Sequence, residues 1–297
     1  MISLTIPFDP EIHLGPIALA WHGIFTAVGI FFGVWLAVRL LRGRVPEDAA
    51  YSVATWAVVC GIVGARVLHV MDCWVPGPSC GEGYAADPIR VVEIWTGGIA
   101  VLGALIGGVI GGFIAALRRG DIDIGAAADR AAAGIGLGFG IGRIGDVING
   151  EHHAKLCGSG PGVCVEFTDP NTLGQGPSFA PDDPLRRYAP GPVQLVVLYD
   201  MIWDLLGVGL VLLLLHRFGD RLGSGRIFWI WTIWYGLGRF ADGFLRIDNP
   251  TPFAGLRQDQ IVGLLLAVVS LVALALLQAG ILPQVLRRLR PKAAQPA

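Results

Sequence analysis

Seven long apolar runs divide the amino-acid sequence, and each is about as long as a helix must be to cross a lipid bilayer. A helix needs about 20 apolar residues to span roughly 30 Å of hydrocarbon. Only 15% of the 297 residues are charged, whereas a soluble domain of this length carries about 25%. The pattern predicts an all-α membrane protein of about seven transmembrane helices, with residues 1–297 forming one polytopic domain. The runs cover approximately residues 17–38, 51–71, 94–117, 125–147, 192–215, 227–245 and 260–282.

The lysines and arginines between these runs are distributed unequally, which predicts the orientation of the chain. If the N-terminus lies outside, twelve Lys and Arg residues fall in cytoplasmic segments and six in outer segments. Cytoplasmic loops of membrane proteins carry the excess of positive charge. We therefore expect the N-terminus outside and the C-terminus in the cytoplasm. Residues 150–191, rich in Gly, Pro, Asp and Ser, then form a small extracytoplasmic cap between spans four and five.

Four of the five cysteines lie in segments that this orientation places outside. Disulfides form in oxidising compartments, so two short-range pairs are favoured, Cys73 with Cys80 and Cys157 with Cys164; free thiols are the alternative. Both pairs have the spacing C-x6-C, which is too wide for a typical zinc knuckle, and no metal site is expected. The fifth cysteine, Cys60, is predicted to be a small apolar packing residue within span two.

Three arginines lie within three different spans, where an ionisable side chain is costly and usually functional. All are toward the outer ends of their helices, with few acids to balance them: Arg66, Arg143 and Arg239. The planar guanidinium suits bidentate binding of phosphate, so we expect a phospholipid phosphate site facing the outer leaflet. The alternative is neutralisation within the protein, as for Arg239 and Asp242 at positions i and i+3. Structural pairing is equally open for Asp129, Arg130, Asp200 and Asp204.

Glycines recur at every fourth position in two of the runs. In span three the stripe indicates generic close packing of helices, as small residues at this spacing commonly do in lipid. In span four the glycines are Gly134, Gly138 and Gly142, and the stripe ends directly at Arg143. We expect that packed face to fix the position of the Arg143 side chain.

The segment Gly142-Arg-Ile-Gly-Asp-Val-Ile-Asn-Gly-Glu151 resembles the signature G-R-x-G-N-F-[aliphatic]-N-x-E of the bacterial prolipoprotein diacylglyceryl transferase family. Further landmarks follow in the family's order over nearly the whole chain. They are Trp21-His22-Gly23, Gly64-Ala65-Arg66, Trp95-Thr96-Gly97-Gly98, Leu105-Ile106-Gly107-Gly108, Pro192-x-Gln194-Leu195, Tyr235-Gly236-x-x-Arg239, Phe244-Leu245-Arg246 and Gly255-Leu256-Arg257-x-x-Gln260.

The resemblance implies transfer of a diacylglyceryl group from phosphatidylglycerol to the lipobox cysteine thiol of a prolipoprotein, with release of glycerol phosphate. It implies a multi-pass protein of the bacterial plasma membrane, with its active site toward the outer leaflet. The expected partners are phosphatidylglycerol, the prolipoprotein signal peptide and membrane lipids. No cofactor, no nucleic acid and a monomeric state are expected.

The resemblance also assigns roles to residues of this sequence. Arginines would stabilise the departing phosphate and favour the thiolate by lowering the pKa of the attacking thiol from about 8.5. The expected substrate-binding residues are Arg143, Asn149, Arg66, Arg246 and Gln260. The expected catalytic residues are Asp146, Glu151, Arg239 and His22.

The sequence departs from the family pattern at several acid–base positions. Where the family has H-G-G in span three, this chain has Leu102-Gly103-Ala104; the signature asparagine is Asp146, and the aromatic residue after Trp21 is His22. Further departures are Gly191, Val196-Val197 and Gly243. Two interpretations stay open. In one, Asp146, Glu151, His22 or Asp242 accepts the proton in the same reaction; in the other, the chain is a paralogue that binds anionic phospholipid without transferase activity.

Overall fold

The computed structural model describes residues 2–15, 17–75, 82–93, 98, 100–151, 154–155, 157, 162–169, 172, 192–246, 251 and 253–289, and this part of the chain is mostly helical. The α-helices are α1 (Trp21–Leu41), α2 (Glu47–Asp72), α3 (Val101–Arg119), α4 (Ile124–Asn149), α5 (Val196–Arg217), α6 (Arg226–Asp242), α7 (Gln258–Gln278) and α8 (Ile281–Leu289). The strands are β1 (Ile2–Ile6), β2 (Glu11–Leu14), β3 (Ile17–Ala20), β4 (Val163–Phe167) and β5 (Val193–Gln194).

Seven long helices occupy the seven apolar runs. Within the described residues, five of them, α1, α2, α4, α5 and α7, are long and apolar enough to cross a membrane. The other two, α3 and α6, have 19 and 17 residues. The prediction of helices long and apolar enough to cross a membrane is therefore confirmed for five of the runs.

The strands were not predicted, and they shorten two of the expected spans. Residues 17–20 pair with β2 as a hairpin, so the first helix begins at Trp21 and not at residue 17. Residues 193 and 194 pair with β4, so α5 begins at Val196 and not at residue 192. The third helix begins at Val101, seven residues later than predicted; residues 94–97 and 99 of that run lie outside the described residues.

The chain divides into two compact units. Unit 1 contains Met1–Leu40 and Ala128–Leu282, and unit 2 contains Leu41–Ala127 and Pro283–Ala297. In unit 2, α2 and α3 pack backbone to backbone: a methyl group at Gly103 would collide with the carbonyl oxygen of Gly64, and one at Gly107 with that of Cys60. The glycine stripe of α3 is thus a packing surface, as predicted.

In unit 1, the glycines of α4 pack against those of α1. A methyl group at Gly29 would lie 2.5 Å from the carbonyl oxygen of Gly138, and one at Gly33 would lie 2.5 Å from that of Gly134. On its other side α4 joins α5 and α6 in an apolar core that includes Ala132, Val208, Val211, Ile227 and Trp231. The helix that carries the signature segment is therefore held on two sides.

Two further contacts fix α6 in unit 1. The carboxylate of Asp129 on α4 accepts hydrogen bonds of 2.8 Å from the backbone N–H groups of Gly225 and Phe228, and so caps the beginning of α6. Trp203 on α5 and Trp234 on α6 stack with ring centroids 4.1 Å apart, and each indole N–H donates to the other residue's carbonyl oxygen. These contacts align the three helices on which the candidate site is built.

A small three-stranded sheet also belongs to unit 1. Strand β1 runs parallel to β4, with Ile2 opposite Val163 and Ile6 opposite Phe167, and β4 pairs antiparallel with β5. A disulfide links Cys157 to Cys164, with the Cα atoms 6.2 Å apart. Cys73 is also disulfide-bonded, and its predicted partner Cys80 lies outside the described residues. Most of the predicted cap, residues 150–191, lies outside them too.

The last helix, α8, is short and amphipathic. Ile281, Val285 and Leu289 recur every fourth residue and are exposed, so they form one apolar face. Arg287 and Arg288 lie in its last turn; Arg287 is on the opposite side of the helical wheel and Arg288 borders the apolar face. The left-handed Gly280, with φ 71°, separates α8 from α7.

Candidate active site

The end of α4 presents its polar residues on one face. Arg143, Asp146 and Asn149 follow one another at intervals of three residues, which places them on adjacent turns of the same side. After Asn149 the chain turns at Gly150, whose φ is 68°, and the backbone N–H of Glu151 donates to the carbonyl oxygen of Asp146 at 3.1 Å. The turn brings the Glu151 side chain back toward the helix end.

Asp146 is bound through both of its carboxylate oxygens. Oδ1 is hydrogen-bonded to Nδ1 of His22, which α1 contributes. Oδ2 accepts a hydrogen bond of 2.9 Å from Nη1 of Arg143. The Asp146 side chain is only 4% exposed, whereas that of His22 is 26% exposed. The imidazole is thus the more accessible member of this pair.

Asp200 on α5 lies between two arginines. Its Oδ2 is 3.3 Å from Nη2 of Arg143 on α4 and 2.9 Å from Nη1 of Arg239 on α6. The Asp200 side chain is 7% exposed and the two arginine side chains are 14% and 15% exposed. One carboxylate oxygen therefore joins three helices in a largely buried position.

Beyond Arg239 the ion pairs continue, with acidic and basic side chains alternating. Asp242 has Oδ2 at 3.7 Å from both Nη1 of Arg239 and Nη1 of Arg246. Nε of Arg246 is in turn 3.8 Å from Oδ2 of Asp259 at the start of α7. The expectation that the arginines have few acids to balance them is therefore wrong for Arg143 and Arg239, because acids from neighbouring helices contact both of them.

The reachable polar groups lie at the outer end of this network. Glu151 is 26% exposed, and its Oε2 is 3.7 Å from Nδ1 of His22. Its Oε1 accepts a hydrogen bond of 3.3 Å from Nδ2 of Asn149. Oδ1 of Asn149 is buried and makes no hydrogen bond to the described part of the chain. A small cavity beside Asp146 and Glu151 is lined mainly by apolar residues of the sheet and of α5, among them Val165, Phe167 and Leu195.

The amino-acid sequence is similar to those of known proteins. The model of the family described as prolipoprotein diacylglyceryl transferase matches residues 11–276. The chain belongs to this family. Its relatives include three proteins named phosphatidylglycerol–prolipoprotein diacylglyceryl transferase. The one from Frankia alni is 36% identical over 96% of this chain and 71% of its own length. The one from Halalkalibacterium halodurans is 35% identical over 91% and 87%, and the one from Staphylococcus carnosus is 34% identical over 91% of each.

The structure of this diacylglyceryl transferase family member brings most of the predicted site residues together. His22, Arg143, Asp146, Asn149, Glu151, Arg239 and Arg246 all belong to the connected network just described. Sequence reasoning missed the bridging role of Asp200 and the contact of Asp259 with Arg246. Asp200 carried a signal, since a carboxylate inside an apolar run is costly, but its partners lie on other helices.

Gln260 is engaged in holding the beginning of α7. Its Oε1 accepts a hydrogen bond of 2.9 Å from the backbone N–H of Arg257, and its Nε2 donates to the carbonyl oxygen of Phe240 at 3.4 Å. Gln260 is 3% exposed. The contacts of its side chain are thus those of a helix cap that also joins α7 to α6.

Arg66, in unit 2, holds a loop. Its Nε and Nη1 donate hydrogen bonds of 2.9 Å to the carbonyl oxygens of Val91 and Gly98. Its Nη2 donates to those of Arg90 and Glu93, and its guanidinium lies 5.0 Å from the Tyr84 ring centroid. A phosphate bound by Arg66 would have to displace these contacts, and the role of Arg66 in phosphate binding stays a prediction.

A metal ion does not fit the outer end of the site. Among the described residues, one group has ligand atoms near enough to one another to hold an ion, namely His22, Asp146 and Glu151. However, Nδ1 of His22 and Oδ1 of Asp146 are hydrogen-bonded directly. The other oxygen of Asp146 is bound to Arg143. An ion would have to separate contacts that the protein already makes.

Proposed function

We propose that this chain transfers the diacylglyceryl group of phosphatidylglycerol to the lipobox cysteine of prolipoproteins and releases glycerol phosphate. Its family membership and the names of its relatives support this reaction. The observation that carries the proposal is the convergence of Arg143 and Arg239 on a single oxygen of Asp200. Two guanidinium groups from different helices are thereby held at a spacing that one small oxyanion can bridge.

The reaction requires stabilisation of a leaving phosphate. The thiolate sulfur attacks the glyceryl C3 carbon, the sulfur–carbon bond forms, and the bond from C3 to the phosphate oxygen breaks with its electron pair staying on that oxygen. The arginines stabilise the charge that develops there, because fixed donors in a water-poor site act strongly on it. We assign this role to Arg143 and Arg239.

Asp200 acts as an internal counter-ion in this proposal. Two partly buried arginines without an anion would repel each other and be poorly solvated. Asp200 compensates them before the lipid arrives, and the phosphate then competes with its carboxylate for the same N–H groups. Asn149, Arg246 and Gln260 complete the binding region, with Arg246 supporting Arg239 through Asp242.

The proposal includes a membrane topology. All seven long helices span the bacterial plasma membrane within one polytopic domain, the N-terminus lies outside, and residues 150–191 form an extracytoplasmic cap over an active site that faces the outer leaflet. The Cys157–Cys164 disulfide supports an outer location for the cap. The basic α8 supports a cytoplasmic C-terminus. The protein acts as a monomer and needs no metal or cofactor.

This topology is tested with single cysteines in a Cys60→Ala background. Thr5 and Arg118 are both exposed and lie on opposite sides of the proposed membrane. In intact cells a membrane-impermeant maleimide should label Thr5→Cys and not Arg118→Cys. The reverse pattern would overturn the orientation.

The activity is tested with purified protein, phosphatidylglycerol and a lipobox peptide. The expected product is a peptide that carries a thioether-linked diacylglyceryl group, detected by mass spectrometry. Arg143→Ala should abolish the product, whereas Arg118→Ala, an exposed arginine of α3, should leave it unchanged. Thermal unfolding shows whether both variants remain folded. Wild-type protein that binds phosphatidylglycerol but forms no product would instead identify a lipid-binding paralogue.

A further inference from the structure

His22 and Asp146 form a pair whose two members differ in access. They come from α1 and α4, 124 residues apart in the sequence. Both oxygens of Asp146 are bound, one to Nδ1 of His22 and one to Arg143. Because its side chain is also 4% exposed, Asp146 cannot receive a proton from a substrate without losing contacts it already makes.

The two ring nitrogens of His22, Nδ1 and Nε2, have different environments. The hydrogen bond to Asp146 occupies Nδ1, so in the neutral ring Nδ1 carries the proton and Nε2 carries the lone pair. No group in the described part of the chain makes a hydrogen bond or ion pair with Nε2. With the side chain 26% exposed, Nε2 is a basic atom that a substrate can approach without displacing a contact of the described residues.

The charges around the imidazole favour its protonated form once a proton arrives. Asp146 and Glu151 face it with negative charge, and Arg143 opposes them from the far side of Asp146. A carboxylate on Nδ1 fixes both the orientation and the tautomer of a histidine, and it stabilises the imidazolium that forms during proton transfer. The same carboxylate holds Arg143, so one residue sets the positions of the base and of an arginine assigned to the phosphate.

We propose that Nε2 of His22 accepts the thiol proton of the lipobox cysteine and that Asp146 is the positioning residue that holds His22 for this step. The assignment rests on the proposed transferase function. The sulfur–hydrogen bond breaks, and its electron pair stays on sulfur, which attacks the glyceryl C3 carbon. The electron pair of the broken carbon–oxygen bond leaves with glycerol phosphate, and the imidazolium returns its proton to that phosphate or to water.

The first test compares turnover in two variants of His22. His22→Ala removes the base, and His22→Gln keeps a hydrogen-bond donor toward Asp146 while removing the titrating nitrogen. Both should lower kcat by about 10²- to 10⁴-fold, the range expected for loss of a general base, with unchanged binding of glycerol 1-phosphate. Imidazole added to His22→Ala should restore part of the lost turnover. Near-wild-type turnover in His22→Gln, with the fold retained, would overturn the assignment.

The second test distinguishes a positioning role of Asp146 from a purely structural role. Asp146→Asn should lower kcat more than it changes KM for the lipid, because the amide can hold the wrong tautomer. In the wild type, kcat/KM should rise with pH as the imidazole of His22 loses its proton. This rise should be absent from His22→Gln and retained in Glu151→Gln. Persistence of that rise in His22→Gln, or its loss in Glu151→Gln, would assign the proton to Glu151 and contradict the proposal.

Failure of this inference and failure of the transferase function give different results. If wild-type protein forms no thioether product, the proposed function fails, and the role of His22 fails with it. If wild-type protein forms the product and His22→Gln forms it equally fast, only the role of His22 fails.

Discussion

Oδ2 of Asp200 accepts a hydrogen bond of 2.9 Å from Nη1 of Arg239. The same oxygen lies 3.3 Å from Nη2 of Arg143, so a side chain of α5 occupies the space between an arginine of α4 and an arginine of α6. In the proposed function, an anionic headgroup that binds these arginines competes with a carboxylate of the protein.

Asp200→Asn should strengthen the binding of the phosphate group. The amide keeps the size of the side chain but removes the negative charge that competes for the two guanidinium groups. We expect glycerol 1-phosphate to bind about tenfold more tightly, equivalent to about 1.4 kcal/mol. Isothermal titration of the purified protein measures this change.

Asp204→Asn is the matched control for Asp200→Asn. It makes the same substitution one turn further along α5, where Oδ2 of the carboxylate is buried and makes no hydrogen bond within the described chain. Its effect on affinity should be smaller. Weaker binding in Asp200→Asn would show instead that this carboxylate orients the arginines and does not compete with phosphate.

Arg66→Lys should loosen the loop that precedes α3 without preventing phosphate binding. A lysine cannot reach four carbonyl oxygens at once, so the loop loses hydrogen bonds to a charged donor at a cost on the order of 2 kcal/mol. Faster amide exchange over Pro88–Val92, with glycerol 1-phosphate affinity maintained, is the expected result. Arg90→Lys is the control, since Arg90 is exposed. A large loss of phosphate affinity in Arg66→Lys alone would support the predicted role of Arg66 in phosphate binding.

Gly145→Ala should reduce turnover, whereas Gly142→Ala should be tolerated. A methyl group at Gly145 would lie 2.6 Å from Cα of His22 and 2.7 Å from the carbonyl oxygen of Trp21. At Gly142 the nearest atom would be Oγ1 of Thr26, 3.9 Å away. The two variants make the same chemical change three residues apart. Equal turnover in the assay of lipobox peptide would show that the contact between α1 and α4 does not set the position of His22.

Trp203→Phe should remove a spectroscopic signal and lower stability. The stacked indoles of Trp203 and Trp234 should couple excitonically and give a paired band in circular dichroism. Loss of the hydrogen bond from Nε1 of Trp203 and of the indole stack should cost about 2 kcal/mol. The bond from Trp234 to the backbone carbonyl at position 203 is retained. Trp56→Phe is the control, because Trp56 is 55% exposed. An unchanged spectrum in Trp203→Phe would contradict the stacked geometry.

Hydropathy was sufficient to locate the long helices, because each must present an apolar surface along its whole length. The run at 51–71 lies within α2, and the run at 125–147 lies within α4. The strands were not predicted, because some pair with remote segments and others are very short. Strand β1 pairs with β4 about 160 residues away, and β5 has two residues.

Sequence reasoning selected most of the polar residues of the site but could not pair them. The cost of charge within lipid marks Arg143, Arg239 and Asp200 individually. Which of them meet depends on the rotation of each helix about its axis, and side-chain packing against the neighbouring helices determines that rotation. His22 and Asp146 show the same limit, since each was a candidate alone and only the contact between α1 and α4 makes them a pair.

The backbone contact between α1 and α4 has a consequence for the conditions under which the protein works. Transmembrane helices respond to changes in bilayer thickness by tilting. Because only glycines separate α1 from α4 at Gly29 and Gly33, these helices must tilt together. We therefore expect the spacing of His22 and Asp146 to vary little with the length of the surrounding acyl chains. A bacterium that remodels its lipids as the growth temperature changes can do so without disturbing this contact.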